Sequence, residues 1–186
     1  NSGDTIIGKA TVERFLPMQN SSISRRWRLL TTPLQLIGSP TISEAWQLGV
    51  ANSNVSTPIN PRPGYGTQIT NGNTAAAVAN GFDIGTTANS SIYYMNPGLS
   101  PTWQAPANTL LPIASKEGFM IFSRGDRSII INNQFVSAAP TTLTPKGNLK
   151  IGNVTKSLVT GTQVIGNPYA SAISFDKVLY NGATPN

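Results

Sequence analysis

The chain contains neither cysteine nor histidine among its 186 residues. Without cysteine there is no disulfide, no thiolate nucleophile and no zinc–thiolate site. Without histidine the commonest general base, the Ser-His-Asp triad and imidazole metal sites are excluded. The two absences disfavour an enzyme and remove the usual ligands of transition metals.

Charge is also scarce, because only 11% of the residues are charged, less than half the usual share. Seven acidic residues stand against 13 basic ones, which gives a net charge of +6. No acidic spacing matches a calcium loop. A hydrolase would have to be built from very few carboxylates. We therefore predict a protein that is not an enzyme and that uses no cofactor and no metal.

Long apolar runs are absent as well, and no stretch approaches the roughly 18 apolar residues of a membrane span. Ser, Thr, Asn, Gly and Pro take the place of the missing charge. This composition is typical of an extracellular β-protein with long polar loops, so we expect a secreted or cell-surface location without membrane insertion. The chain starts at Asn1 rather than at methionine, which suggests an excised domain or a processed product.

Short runs with strand-like alternation, separated by turn residues about every ten positions, predict the fold. The expected architecture is a single all-β domain over residues 1–186, an antiparallel β-sandwich of jelly-roll type with long polar loops and at most one or two short helices. The segment TISEAWQLG is the one expected helical turn, with Thr41 or Ser43 as its cap and Glu44 completing a capping box. The predicted strands lie in TIIGKATVERFLP, RRWRLLTTPLQL, FDIG, SSIYYMN, PTWQAPA, GFMIFS, SIIINNQFVSA, TTLTPKGNLKIG, KSLVTGTQVIG and AISFDKVLY.

The tripeptide Arg124-Gly125-Asp126, known as a cell-adhesion signal, follows four apolar residues, 119–122, which predict a strand buried on both faces. We expect the tripeptide to close the turn at the end of this strand rather than to serve as an exposed ligand. Asp126 would then be held by Arg26, Arg28 or Arg124, or by backbone amides of its own turn.

The arginines around Trp27 raise the possibility of nucleic-acid binding. Alternation in RRWRLL instead predicts a half-buried strand, with Arg26 and Arg28 on one face and Trp27 on the other, in the core. The other basic residues are scattered. No nucleic-acid partner is therefore expected.

Several motifs occur in an order that resembles a recurrent module of secreted and cell-surface proteins of Bacteroidota, many of them exported by type IX secretion. The motifs cover about residues 12–176 and are VERFLP, RRWRLLTTPL, TISEAWQ, PGYGTQIT, GFD, SSIYYMN, GFMIFSRGDRS, TTLTPKGNLKIG and VIGNPYASAISFD. The resemblance implies a non-catalytic β-rich module, adjacent to other domains of a larger polypeptide. Asp4-Thr5-Ile6 also resembles an O-glycosylation acceptor of this phylum, with Thr5 as the modified residue.

Two functions from different classes agree with these observations. One is an adhesive or structural module that spaces and presents neighbouring domains. The other is a carbohydrate-binding module, which would need exposed aromatic rings for stacking against sugars and would assist an attached polysaccharide-degrading enzyme. The candidate aromatic residues are Trp46, Tyr65, Tyr93, Tyr94 and Trp103. For Tyr65, in the PGYG loop, we expect a ring that plugs the end of the sandwich.

Overall fold

The computed structural model describes residues 6–17, 25–48, 62–128 and 139–179. Within these ranges the predicted all-β, antiparallel, sandwich-like fold is confirmed, because strands in antiparallel sheets dominate the regular structure. The strands are β1 (Ala10–Thr11), β2 (Arg14–Leu16), β3 (Arg26–Leu30), β4 (Ile92–Asn96), β5 (Thr102–Gln104), β6 (Phe119–Ser123), β7 (Thr141–Leu143) and β8 (Lys146–Gly147).

The described strands form one larger sheet and two antiparallel pairs. The larger sheet has the order β3-β6-β4-β5, and the pairs are β1 with β8 and β2 with β7. In the larger sheet Leu30 lies opposite Phe119, and Ile92 lies opposite Ile121. Because residues that face each other across an antiparallel pair point to the same side, these four side chains belong to one face.

That face packs into the core. Leu30, Phe119, Ile121 and Ile92 are buried in one apolar cluster together with Leu16 from the β2–β7 pair. The expectation that residues 119–122 are buried on both faces is wrong, since burial alternates along β6. A strand with one core face and one open face explains this alternation.

Two helical segments flank the sheets. A π-helical turn spans Ser43–Gln47, and the predicted capping box is confirmed: the Thr41 amide donates to Glu44 Oε2 over 2.9 Å, and the Glu44 amide donates to Thr41 Oγ1 over 3.2 Å. Helix α1, Ala75–Ala79, was not expected. Thr74 caps it by accepting a hydrogen bond from the Ala77 amide. Single 3-10 turns lie at Ile113–Ser115 and Phe175–Lys177.

The strands predicted in KSLVTGTQVIG and AISFDKVLY are not present among the described residues of this region, which is irregular apart from a bridge between Gly98 and Thr162 and the 3-10 turn. A local turn uses the backbone groups instead, because Asn167 accepts a hydrogen bond from the Tyr169 amide and donates one to the Ser171 carbonyl. Phe175, within the last of these segments, is exposed. No helix in the described part of the chain has the length and apolarity to cross a membrane.

A buried ion pair joins four segments of the fold. Arg127 Nη2 lies 2.5 Å from Asp83 Oδ1, and each side chain is only 1% exposed. The other carboxylate oxygen of Asp83 accepts bonds from the Ile69 amide, over 2.9 Å, and from Gln47 Nε2, over 3.2 Å. The pair therefore links the π-helical turn, the TQIT segment, the GFD segment and the RGDR turn.

Removal of the cation from this pair should unfold the protein at markedly lower denaturant concentration. Arg127→Met keeps most of the side-chain volume but leaves the Asp83 carboxylate buried without its cation, and we expect a loss of about 3–5 kcal/mol in unfolding free energy. Chemical denaturation measures this loss. The control is Asp176→Asn, since Asp176 is exposed and lies 3.8 Å from Lys177, and its unfolding midpoint should stay at the wild-type value. Equal midpoints for the two variants would contradict the assignment.

Candidate functional site

At the registered positions of the four-stranded sheet, the solvent side carries apolar and aromatic side chains. In the sheet register Trp27 lies opposite Phe122, and Met95 lies opposite Trp103, on the side away from the core. The residues at all registered positions on this side, which we call the outer face, are Trp27, Leu29, Tyr93, Met95, Trp103, Met120 and Phe122. The open side of an antiparallel sheet is normally polar, so this face is the main candidate for a binding surface.

Each of the four strands contributes one aromatic ring to the outer face. The ring centroid of Trp27 lies 5.3 Å from that of Phe122 and 5.8 Å from that of Tyr93, with interplanar angles of 59° and 49°. Trp27 is 44% exposed and Trp103 is 38% exposed. Trp27, Tyr93 and Phe122 thus pack on one another at an angle, while part of Trp27 and part of Trp103 are open to solvent.

The structure brings together two of the predicted aromatic candidates, Tyr93 and Trp103, and corrects the assignment of two others. Trp27, expected in the core, lies on the outer face, although the predicted alternation of RRWRLL is confirmed. Trp46 is only 2% exposed and packs edge-on against Phe119 at 5.2 Å, so it is a core residue. Periodicity identifies which residues share a face, but it does not say which face meets the core.

The remaining aromatic candidates lie elsewhere. Tyr94 is on the core side of β4, and Lys116 Nζ lies 4.1 Å from its ring centroid. Tyr65 is 37% exposed, and the Arg62 guanidinium lies 5.2 Å from its ring. The expected plug is therefore wrong, because more than a third of the Tyr65 side chain faces solvent.

The RGDR turn directs its charged side chains to different places. Arg127 enters the core to reach Asp83. Asp126, 5% exposed, accepts a hydrogen bond from the Gly64 amide over 2.6 Å and another from the Ser128 amide over 3.0 Å. Arg124 follows Ser123 in the strand alternation and lies over the Phe122 ring at 4.9 Å. The tripeptide is thus built into the fold, as predicted.

The arginines proposed as partners of Asp126 do not pair with it. Among the described residues Asp126 makes no ion pair, and it is the amide of its own turn, together with that of the PGYG loop, that holds it. Arg26 is exposed on the core side of β3, and Arg28 Nη2 donates to the Pro17 carbonyl over 3.1 Å. Burial and the neighbouring positive charges lower the pKa of Arg28.

A groove lies beside the β2–β7 pair. It has a volume of about 310 Å³ and lies between these strands and the NPYAS segment, residues 167–171, with Trp46 and Tyr169 among its lining residues. The described residues contain no cluster of three or more His, Cys, Asp or Glu side chains suited to a metal ion. Thr5, the predicted O-glycosylation acceptor, lies outside the described residues.

Replacement of Asp126 should loosen the junction between the PGYG loop and the RGDR turn. Asp126→Ala leaves the partly buried Gly64 amide without its acceptor, and we expect a loss of about 1–3 kcal/mol in unfolding free energy. Asp126→Asn keeps one acceptor oxygen and should lose less. Thermal unfolding measures the stability of both variants and shows whether Asp126→Asn loses less than Asp126→Ala. An alanine variant as stable as the wild type would show that the carboxylate contributes nothing to this junction.

Comparison of the chain with protein-family models, with curated proteins and with solved structures found no match.

Proposed function

We propose that this protein is a non-catalytic adhesive module of a secreted or cell-surface protein and that it binds polysaccharide through the outer face. One observation carries the proposal: all seven registered positions on the solvent side of the sheet are apolar, and four of them are aromatic. A solvent-facing apolar surface on an antiparallel sheet lowers solubility unless it has a ligand. Aromatic faces supply the stacking surface that sugar rings require.

The arrangement of the rings favours a single polysaccharide chain over a flat crystalline surface. The Trp27 ring is tilted by 49° from the Tyr93 ring and by 59° from the Phe122 ring. A flat crystal face would need coplanar rings to contact all of them at once. A single chain can turn from one sugar unit to the next and follow the twist of the sheet.

The polar composition and the resemblance to Bacteroidota surface modules support an extracellular setting for this activity. The net charge of +6 disfavours a second copy of the chain as the occupant of the outer face, because two such copies would repel each other. We also expect the module to contact neighbouring domains of the same polypeptide.

Retention by polysaccharide gels tests the proposal. In native electrophoresis through gels that contain neutral or acidic polysaccharides, we expect the wild type to be retarded by at least one of them. Trp27→Ala and Trp103→Ala should each weaken the apparent affinity about tenfold, because removal of one aromatic anchor from an interface removes about 1.4 kcal/mol or more. Both variants should fold normally, since these side chains are 44% and 38% exposed.

Tyr65→Ala is the matched control, because Tyr65 is 37% exposed but forms a bridge with Thr142 of β7, outside the four-stranded sheet. Its retention should equal that of the wild type. Equal losses for all three variants would contradict the assignment of the site. Absence of retention for the wild type, combined with self-association in sedimentation velocity, would instead identify the outer face as a contact between copies.

A further inference from the structure

Two arginines stand at one end of the outer face. Arg26 is registered opposite Ser123 in the last pair of the β3–β6 ladder, and Arg25 and Arg124 are the residues next to this pair, close enough for the charge of Arg25 to lower the pKa of Arg124. Ser123 points into the core, and Arg124, the next residue, returns to the side of Phe122, over whose ring its guanidinium lies at 4.9 Å. The apolar surface therefore ends in a pair of positive charges.

The Arg124 guanidinium is held at an energetic cost. Burial disfavours the charged form of a side chain, and a like charge nearby disfavours it further. Burial, with the positive charge of Arg25 as a smaller cause, lowers the pKa of Arg124 to about 10, although Asp83 acts in the opposite direction. Nη1 of Arg124 is buried and has no hydrogen-bond acceptor among the described residues.

The carboxylates of Asp83 and Asp126 are already engaged. Asp83 is paired with Arg127, and Asp126 accepts hydrogen bonds from the Gly64 and Ser128 amides. Two other carboxylates are engaged as well: Glu44 is bonded to Thr41, and the Glu117 carboxylate lies 2.6 Å from Lys156 Nζ. A guanidinium over an aromatic ring, beside a face with no carboxylate at its registered positions, is an arrangement that suits an anion supplied by a ligand.

We propose that the polysaccharide bound by the outer face is acidic, with a uronate carboxylate held by Arg124 at the Arg25 end while neighbouring sugar rings stack on Trp27 and Tyr93. The inference rests on the proposed function and names its ligand class. Because Nη1 is buried, the carboxylate meets the other edge of the planar guanidinium, where Nε and Nη2 can donate two parallel hydrogen bonds, and the adjacent aromatic ring shields that contact from water.

Polygalacturonate and its methyl ester form the test pair, because they share one backbone and differ in the carboxylate charge. In affinity electrophoresis we expect polygalacturonate to bind the wild type about tenfold more tightly than the ester, in line with a charge-assisted hydrogen bond. Arg124→Met should abolish this preference while leaving the weak binding of the ester intact. Arg124→Lys should keep part of the preference for polygalacturonate, since lysine keeps the positive charge but lacks the paired N–H donors of the guanidinium.

Arg26→Met is the matched control, because it removes the same charge from the same end of the sheet on the opposite face. Its preference for polygalacturonate should equal that of the wild type. Equal losses for Arg26→Met and Arg124→Met would show a general attraction of the basic chain to polyanions and would overturn the inference. Melting temperatures check folding, and Arg124→Met should melt no lower than the wild type.

The outcomes also separate this inference from the proposed function. Equal binding of polygalacturonate and its ester, lost in Trp27→Ala but not in Arg124→Met, would overturn the acidic ligand and leave the aromatic site in place. If neither polymer binds and a panel of neutral polysaccharides also fails, the proposed function itself is wrong. Binding of polygalacturonate that is lost in both variants supports both proposals.

Discussion

The contact between Arg127 and Asp83 holds together parts of the chain that are far apart in sequence. Both side chains are 1% exposed, and the second carboxylate oxygen of Asp83 is occupied by the Ile69 amide and by Gln47. Breaking such a pair is expensive because the remaining charge stays buried. Its four segments come from TISEAWQ, PGYGTQIT, GFD and FSRGDRS, so these motifs meet around one interaction.

This anchor also determines what β6 presents to solvent. Arg127 is drawn into the core, and Gly125, with a φ of +98°, leads from the strand into a turn. Arg124, before the glycine, stays on the side of Phe122. Asp126 is turned toward the Gly64 amide. The RGDR turn thus places Arg124 at the end of the outer face and directs Asp126 away from that face.

Some local patterns in the sequence predicted the local structure. The capping box of Thr41 and Glu44 needs only residues three positions apart, and both hydrogen bonds are present. Alternation in RRWRLL correctly separated Trp27 from Arg26 and Arg28. Thr74 ahead of three alanines was a capping signal for α1 that could have been recognised.

Long-range features could not be derived in the same way. Asp83 and Arg127 are 44 positions apart, and nothing local marks them as partners. Which face of β3 meets the core depends on the strands that pair with it, so Trp27 was expected in the core although it lies on the outer face. Trp46 lies in the π-helical turn, and its burial depends on packing against Phe119 from a distant strand. The candidate site followed only once four separate strands were aligned in one sheet, with one aromatic ring on each.

The three tryptophans provide an internal test of the central claim that the outer face binds the ligand. In an NMR titration with oligogalacturonate, each indole N–H gives its own signal. We expect the signals of Trp27 and Trp103, which lie on the outer face, to shift with ligand concentration, and the signal of Trp46, which is buried in the core, to stay in place. Saturable shifts confined to Trp46, or none at Trp27 and Trp103 while the ligand binds, would contradict the account.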